Sequence, residues 1–153
     1  MLIGVISDTH GLLRPEALQA LRGAAMIIHA GDVGKPAVLE QLRGLAPVVA
    51  VRGNIDRQPW ARSLPPSALL TANGHSILVL HELSQFAVET APAGLAAVVF
   101  GHSHRPSIAK RDGILFLNPG SAGPRRFRLP ITLAHLHASR ASLRPKLISL
   151  PIP

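Results

Sequence analysis

Residues 2–32 read LIGVISDTHGLLRPEALQALRGAAMIIHAGD, and this stretch decides the fold class. Leu2 to Ile6 is a short apolar run suited to a buried strand. Pro15 then opens EALQALR, with Leu18 and Leu21 at helical spacing and Gly23 behind them. The apolar AAMIIHA follows as a second strand-like run. The plan repeats: Pro36 opens AVLEQLR, Gly44 closes it, and PVVAV (Pro47 to Val51) is a third run. Proline in the first helical turn and glycine past the last is the expected order at helix ends. The pattern is βαβαβ, which implies parallel strands and right-handed crossovers.

The second half changes character. SALLTA and HSILVL flank Asn73-Gly74, the strongest short hairpin signal, and SIAKR and ILFLN flank Asp112-Gly113 in the same way. ITLAHLHA and SLRPKLISL read as a closing antiparallel pair, so this half is expected to be mainly antiparallel. A short helix is expected within residues 84–93, before Gly94. QPWARSLPPS (58–67) and GPRRFRLP (123–130) are surface loops. Trp60, the only tryptophan, is a candidate lid or oligomer contact. A single domain over residues 1–153 is expected, with no linker to divide it.

Composition narrows the function classes. At 47% hydrophobic and 16% charged, the 153-residue chain is too apolar for a disordered basic tail. No apolar run approaches the ~20 residues that span a bilayer. MLIGVISDTHG lacks a basic n-region, which argues against a signal peptide; the expectation is a cytoplasmic protein. With no cysteine there is no disulfide, thiolate metal site or cysteine nucleophile. The 16 Lys+Arg against 8 Asp+Glu give a formal charge of +8, which favours anionic partners without choosing among them. With 3% aromatics there is no platform for stacking bases, so nucleic acid has only the net charge in its favour.

The chemistry gathers where apolar runs end. Leu2–Ile6 leads into Ser7-Asp8-Thr9-His10, Met26–Ala30 into Gly31-Asp32, and Val48–Val51 into Arg52-Gly53-Asn54-Ile55-Asp56. Ile77–Leu80 leads into His81, Val98–Phe100 into Gly101-His102-Ser103-His104, and Ile114–Leu117 into Asn118-Pro119-Gly120-Ser121. In α/β sheets ligands bind beyond the carboxyl ends of the strands, so six such ends would build one site. Oxygen and nitrogen donors without sulfur suit Mn²⁺, Fe, Ni²⁺ or Zn²⁺. A carboxylate can bridge two metals where imidazole cannot.

In this order, DTHG, HAGD, GNID, a strand ending in His81, GHSH and NPGS resemble the calcineurin-like metallophosphoesterase superfamily, in particular its compact prokaryotic phosphodiesterase (YfcE-type) branch. The resemblance runs from Leu2 to about Leu150. It implies an α/β fold, a four-layer α-β-β-α sandwich, with a dinuclear metal site at one edge. It puts Asp8, His10 and His104 on the first metal and Asn54, His81 and His102 on the second, with Asp32 bridging. The metals are two divalent ions, Mn²⁺ first, with Fe, Ni²⁺ or Zn²⁺ as alternatives. Asn54, Asp56 and His81 take catalytic roles by the same carry-over, Asp56 and Asn118 by orienting ligands. Arg57, Arg105 and Arg125 border the motif loops and are candidate phosphate contacts.

The implied activity is hydrolysis of a small phosphodiester or nucleotide-like substrate by a metal-bridging hydroxide. A phosphomonoesterase or nuclease with the same site is the nearest alternative. A non-catalytic scaffold of the same fold, as in retromer, is a third; a homo-oligomer is left open. Two positions depart from the family pattern. Many members carry a histidine after Gly-Asn that can protonate the leaving group, where this chain has Ile55. Relatives usually have glycine after the histidine matching His81, where this chain has Glu82. His29 is expected to pack behind the site, and His135 and His137 to lie away from it on a late strand.

Overall fold

A computed structural model describes residues 1–153. The first half follows the alternation of its apolar runs and proline-opened helices: β1 (Leu2–Ile6), α1 (Pro15–Ala20), β2 (Met26–His29), α2 (Pro36–Arg43) and β3 (Val48–Ala50). β1 is parallel to β2 and β2 to β3, with Ile6 opposite His29 and His29 opposite Ala50. The next strands are β4 (Ser67–Ala72), β5 (His75–Leu80), β6 (Leu95–Val99), β7 (Ser107–Arg111), β8 (Ile114–Asn118), β9 (Thr132–Ala138) and β10 (Leu143–Ser149). They complete two five-stranded sheets, ordered β10-β9-β1-β2-β3 and β4-β5-β6-β8-β7.

The period-2 alternation of each strand explains the layers. Ile3 and Val5 of β1 face the second sheet, where they meet Ile77 and Val79 of β5, Ala97 and Val99 of β6, and Leu115 and Leu117 of β8. Ile6 points the other way, into a core with Leu21, Leu39, Leu42 and Leu133 that α1 and α2 cover. Val38, Leu39 and Leu42 put the buried face of α2 on that core, each fully buried aliphatic chain contributing ~1.5–3 kcal/mol. Trp60 joins the rim of the same core. It is an anchor for the 3-10 helix Pro59–Ser63 rather than a free lid.

The outer face of the second sheet carries Leu80, Val98, Phe100 and Phe116. It is covered by two one-turn 3-10 helices, Leu83–Gln85 and Val88–Thr90, with Leu83 and Phe86 packed against it. The fourth layer is therefore thinner than the expected helix at residues 84–93. Both expected hairpins are present, with Asn73 and Asp112 at φ +47° and +52°, and β9 and β10 pair antiparallel. One feature of the second half differs from the antiparallel expectation. β6 runs parallel to both β5 and β8, so each sheet contains three adjacent parallel strands. No helix is long and apolar enough to cross a membrane.

Candidate metal centre

The two parallel trios deliver six carboxyl ends to one edge. β1 and β2 release Asp8 and Asp32, and the turn after β3 releases Asn54. β5 releases His81, and the loop after β6 releases His102 and His104. Two groups of donors form there, Asp8 with His10 and His104, and Asp32 with His81 and His102. Within each, one candidate ligand atom from every residue lies within 4.8 Å of the others. Asp32 joins them: its Oδ2 is 3.5 Å from His10 Nε2 and 3.2 Å from His81 Nε2. Asp8 Oδ1 is 3.4 Å from His104 Nε2 and 3.8 Å from both His10 Nε2 and His81 Nε2. The amide oxygen of Asn54 lies 3.2 Å from His102 Nδ1.

Backbone geometry marks the same residues. Asp8, His10, Asp32, His102 and His104 all have φ between +47° and +73°, a region that L-residues with side chains avoid. Such strain persists where the surroundings over-determine it, and here the loops are crowded. A Cβ on Gly53 would sit 2.1 Å from Asp32 Oδ1, and one on Gly101 would sit 2.2 Å from Ser7 Oγ and 2.6 Å from Asp8 Oδ2. Both glycines let the backbone close onto a carboxylate.

Neighbouring hydrogen bonds aim the donors. Asp8 Oδ2 accepts from Ser7 Oγ (2.7 Å) and from the His102 amide (3.1 Å), leaving Oδ1 for the imidazoles. His81 places Nδ1 2.8 Å from the Ala30 carbonyl and so presents Nε2 to the cluster. The Ile55 amide donates to Asp32 Oδ1 (3.1 Å). Asp56 does not enter the cluster. Its carboxylate accepts from the amides of Val33 (3.1 Å), Gly34 (3.0 Å) and Gly53 (2.9 Å) and ties two loops together. Asn118 donates to the Gly101 carbonyl and to Ser103 Oγ and accepts from the Gly120 amide, which fixes the His102–His104 loop. Arg57, Arg105 and Arg125 are exposed. Arg57 Nε donates to the Asn54 carbonyl (3.0 Å).

His29 packs behind the cluster as expected, fully buried and paired with Thr9 of the first motif. The Gly31 amide donates to His29 Nδ1 (3.1 Å). The proton therefore sits on Nε2, which donates to Thr9 Oγ1 (3.0 Å), and Thr9 donates on to the Val33 carbonyl (2.8 Å). Nothing in an isolated His29 distinguishes this role from any other buried histidine. His135 and His137 lie on β9 as expected, and His135 bonds the Ala20 carbonyl of α1.

The electrostatics are those of a cation site. Burial opposes ionisation of Asp8, but the neighbouring His10 and His104 imidazoles and the hydrogen bond from Ser7 outweigh it and hold the carboxyl well below the usual carboxylate range. Asp32 follows the same logic, with burial overcome by its bond to His81. Burial would lower His81, yet Asp32 and Asp8 raise it. The donor set also fits cations directly. Asp8 Oδ1 and His10 Nε2 are buried with no hydrogen-bond partner, and such groups are costly unless something pairs them. The Asn54 side-chain amide lies within 3.3 Å of His81 Nε2, His102 Nδ1 and both Asp32 oxygens, which gathers nitrogen and oxygen donors at one point.

Comparison with known proteins bears on this geometry. The family model of the calcineurin-like phosphoesterase superfamily domain matches residues 1–141. Two probable metallophosphoesterases are similar in sequence. That of Methanothermobacter thermautotrophicus is 37% identical, over 79% of this chain and 77% of its own length. That of Methanocaldococcus jannaschii is 35% identical, over 98% and 82%. Among solved structures, the Escherichia coli phosphoesterase YfcE superposes with a TM-score of 0.71 at 25% identity, covering 98% of this chain and 100% of that one. An archaeal phosphodiesterase gives 0.78 at 22% identity, covering 97% and 100%. Vps29 of Entamoeba histolytica gives 0.77 at 20% identity, covering 98% and 99%. The last two identities speak to the fold alone.

Proposed function

The chain belongs to the calcineurin-like phosphoesterase superfamily, and from that membership we propose that it is a phosphodiesterase acting on a small phosphodiester or nucleotide-like compound with two divalent ions. Asp8, His10 and His104 would hold one ion and Asn54, His81 and His102 the other, with Asp32 within reach of both. The observation that carries this reading is the position of Asp32 Oδ2 between His10 Nε2 and His81 Nε2, at 3.5 and 3.2 Å. When bound, such a pair of ions supplies Lewis acidity toward the phosphoryl oxygens and yields a nucleophile from water near neutral pH.

The chain's own residues do the rest. Asn54 is exposed at the centre of the donor cluster, where its amide meets an entering phosphate. Arg57 fixes the Asn54 turn through the backbone carbonyl, and Arg105 and Arg125 attract an anionic ester to the rim. Asp56 and Asn118 are positioning residues: one ties the turn after β3 to the turn after β2, the other holds the histidine loop. Ile55 is 37% exposed beside Asn54 and has no proton to give. The preferred substrates are therefore diesters whose leaving group departs without protonation. A scaffold role has only the fold likeness behind it, whereas all seven donors needed for metal chemistry are present.

The test is a panel of bis(4-nitrophenyl) phosphate, 4-nitrophenyl phosphate, cyclic nucleotides and single-stranded DNA, each with Mn²⁺, Ni²⁺, Mg²⁺ and Zn²⁺. The aryl diester should exceed the monoester at least tenfold and lose all turnover in chelator. A series of aryl diesters should slow steeply as leaving-group pKa rises. Inactivity with every metal would sink the phosphodiesterase reading, and a flat leaving-group series would sink the role given to Ile55.

A further inference from the structure

The turn that carries Asn54 also borders a second recess. Arg52, Asp56, Arg57, Gln58 and Arg62 line a cleft of about 260 Å³ with no hydrophobic residue in its wall. That is smaller than the ~300–1,000 Å³ of pockets that enclose drug-sized molecules, and its lining suits an ion rather than a ring. Three guanidiniums share the cleft with one carboxylate. The carboxylate of Asp56 is buried and already takes three backbone N–H groups. Every carboxylate contact within 4.0 Å in this protein is made by a histidine, so none of the three arginines has an ion-pair partner. Three unpaired arginines around one small recess repel one another unless an anion joins them.

The cleft is also held in shape. Trp60, Ala61 and Leu64 anchor the 3-10 turn in the core and leave Arg62 outside. The Arg52 amide donates to the Pro65 carbonyl (2.8 Å), which closes the other wall. Arg57 spends only Nε on the Asn54 carbonyl and keeps its terminal nitrogens for a ligand. Planar guanidinium forks match phosphate oxygens in pairs. Asn54 and Arg57 are three residues apart, so their Cα atoms are separated by at most ~11 Å, a span that one sugar between two phosphates can bridge.

We propose that this cleft binds a second phosphate of the substrate, so that the enzyme selects phosphodiesters carrying a further phosphate one sugar away from the scissile bond. The substrate part rests on the phosphodiesterase reading; the anion site itself does not. Two measurements separate them. First, inorganic phosphate is titrated calorimetrically into metal-free wild type and into an Arg52→Ala/Arg62→Ala double variant whose melting temperature matches wild type. Binding should be at least tenfold weaker in the variant; equal binding, or none to wild type, would overturn the cleft as an anion site. Second, thymidine 5′-(4-nitrophenyl phosphate) is compared with its 3′-phosphorylated form in the presence of Mn²⁺. The 3′-phosphate should lower KM about tenfold or more in wild type. The double variant should lose that advantage while the unphosphorylated diester stays within twofold. If the 3′-phosphate gives no advantage, or the variant weakens both esters equally, the second-phosphate assignment is wrong even where the phosphate titration succeeds. If neither diester is hydrolysed, the phosphodiesterase reading falls, and the titration still decides the cleft. An Arg52→Lys/Arg62→Lys variant should retain only part of the preference, because it keeps the charge and loses the fork.

Discussion

The two donor groups at the metal edge are built from the same residue types in different surroundings. Asp8 and His104 are buried, and Asp8 is braced by Ser7 and the His102 amide. The second group opens outward: the His102 side chain is 48% exposed, Asn54 is exposed, and Glu82 stands 3.9 Å from His102 Nδ1. A braced, dehydrated set is preorganised for one ion, while an open set can change partners as substrate enters. The difference predicts unequal ions, one structural in its tenacity and one exchangeable. Asp32 is where the two would be coupled, so its loss should have the largest effect. Asp32→Ala should cut kcat/KM by about 10³-fold or more, beyond the 10²–10³ typical of a single transition-state contact. It should also abolish the difference between the ions in a Mn²⁺ isotherm. A variant retaining a tenth of the activity would mean that the groups work separately.

The buried half should also carry a pH signature of its own. Burial pushes His29 from its usual 6.5 down to about 4, and its ring holds the Asp8 and Asp32 loops through Thr9 and Gly31. Between those two values the unfolded chain takes up a proton that the native chain refuses. The stability this group contributes is therefore complete above pH 6.5 and drains away as pH falls toward 4, by ~3 kcal/mol in all. His81, raised by its acidic neighbours, acts in the opposite sense and above that window. Urea unfolding of the metal-free protein at pH 7 and pH 4.5 should show the loss, and His29→Gln should flatten it. An unchanged slope in that variant would place the pH dependence elsewhere.

Removing one imidazole from each group compares them directly. His104→Ala leaves Asp8 ionised and poorly paired in a buried place, an arrangement with a high cost. It should eliminate the tighter Mn²⁺ equivalent and lower the melting temperature. His102→Ala removes an exposed ring, and it should leave the tighter equivalent intact while weakening the other about 10- to 100-fold. Calorimetric stoichiometry distinguishes the two outcomes. Identical isotherms for both variants would break the asymmetry.

Much of this edge was legible because polar residues interrupt apolar runs at the strand ends: Asp8 after Ile6, Asp32 after Ala30, His81 after Leu80. The parallel placement of β6 was not legible. An amphipathic helix usually announces a parallel crossover. Here the link from Leu80 to Leu95 holds only two 3-10 turns, with no helical period to read. Asp56 illustrates a second limit. The resemblance gives it a ligand-orienting role, and the amides its oxygens accept from are those of Val33, Gly34 and Gly53, more than twenty residues away for the first two. Local pattern reveals which residues reach an edge and is silent on the long-range partners that consume them.

Glu82 gives the smallest and most discriminating test of the two unequal groups. Its Oε1 is directed at His102 Nδ1, the same nitrogen that faces Asn54, so its charge acts on the open group and hardly at all on Asp8. The carboxylate is 30% exposed, and attraction between exposed charges is weakened by water and salt. Glu82→Gln keeps the size and removes the charge. If Glu82 supplements the open group, the variant should bind the weaker Mn²⁺ about three- to tenfold less tightly at low salt, with the gap narrowing as salt rises. If Glu82 instead crowds that group by holding His102 away, the same variant should bind it more tightly, with no salt dependence. The tighter equivalent should be unmoved in either case. The sign of the change therefore decides whether Glu82 strengthens the open group or keeps it weak.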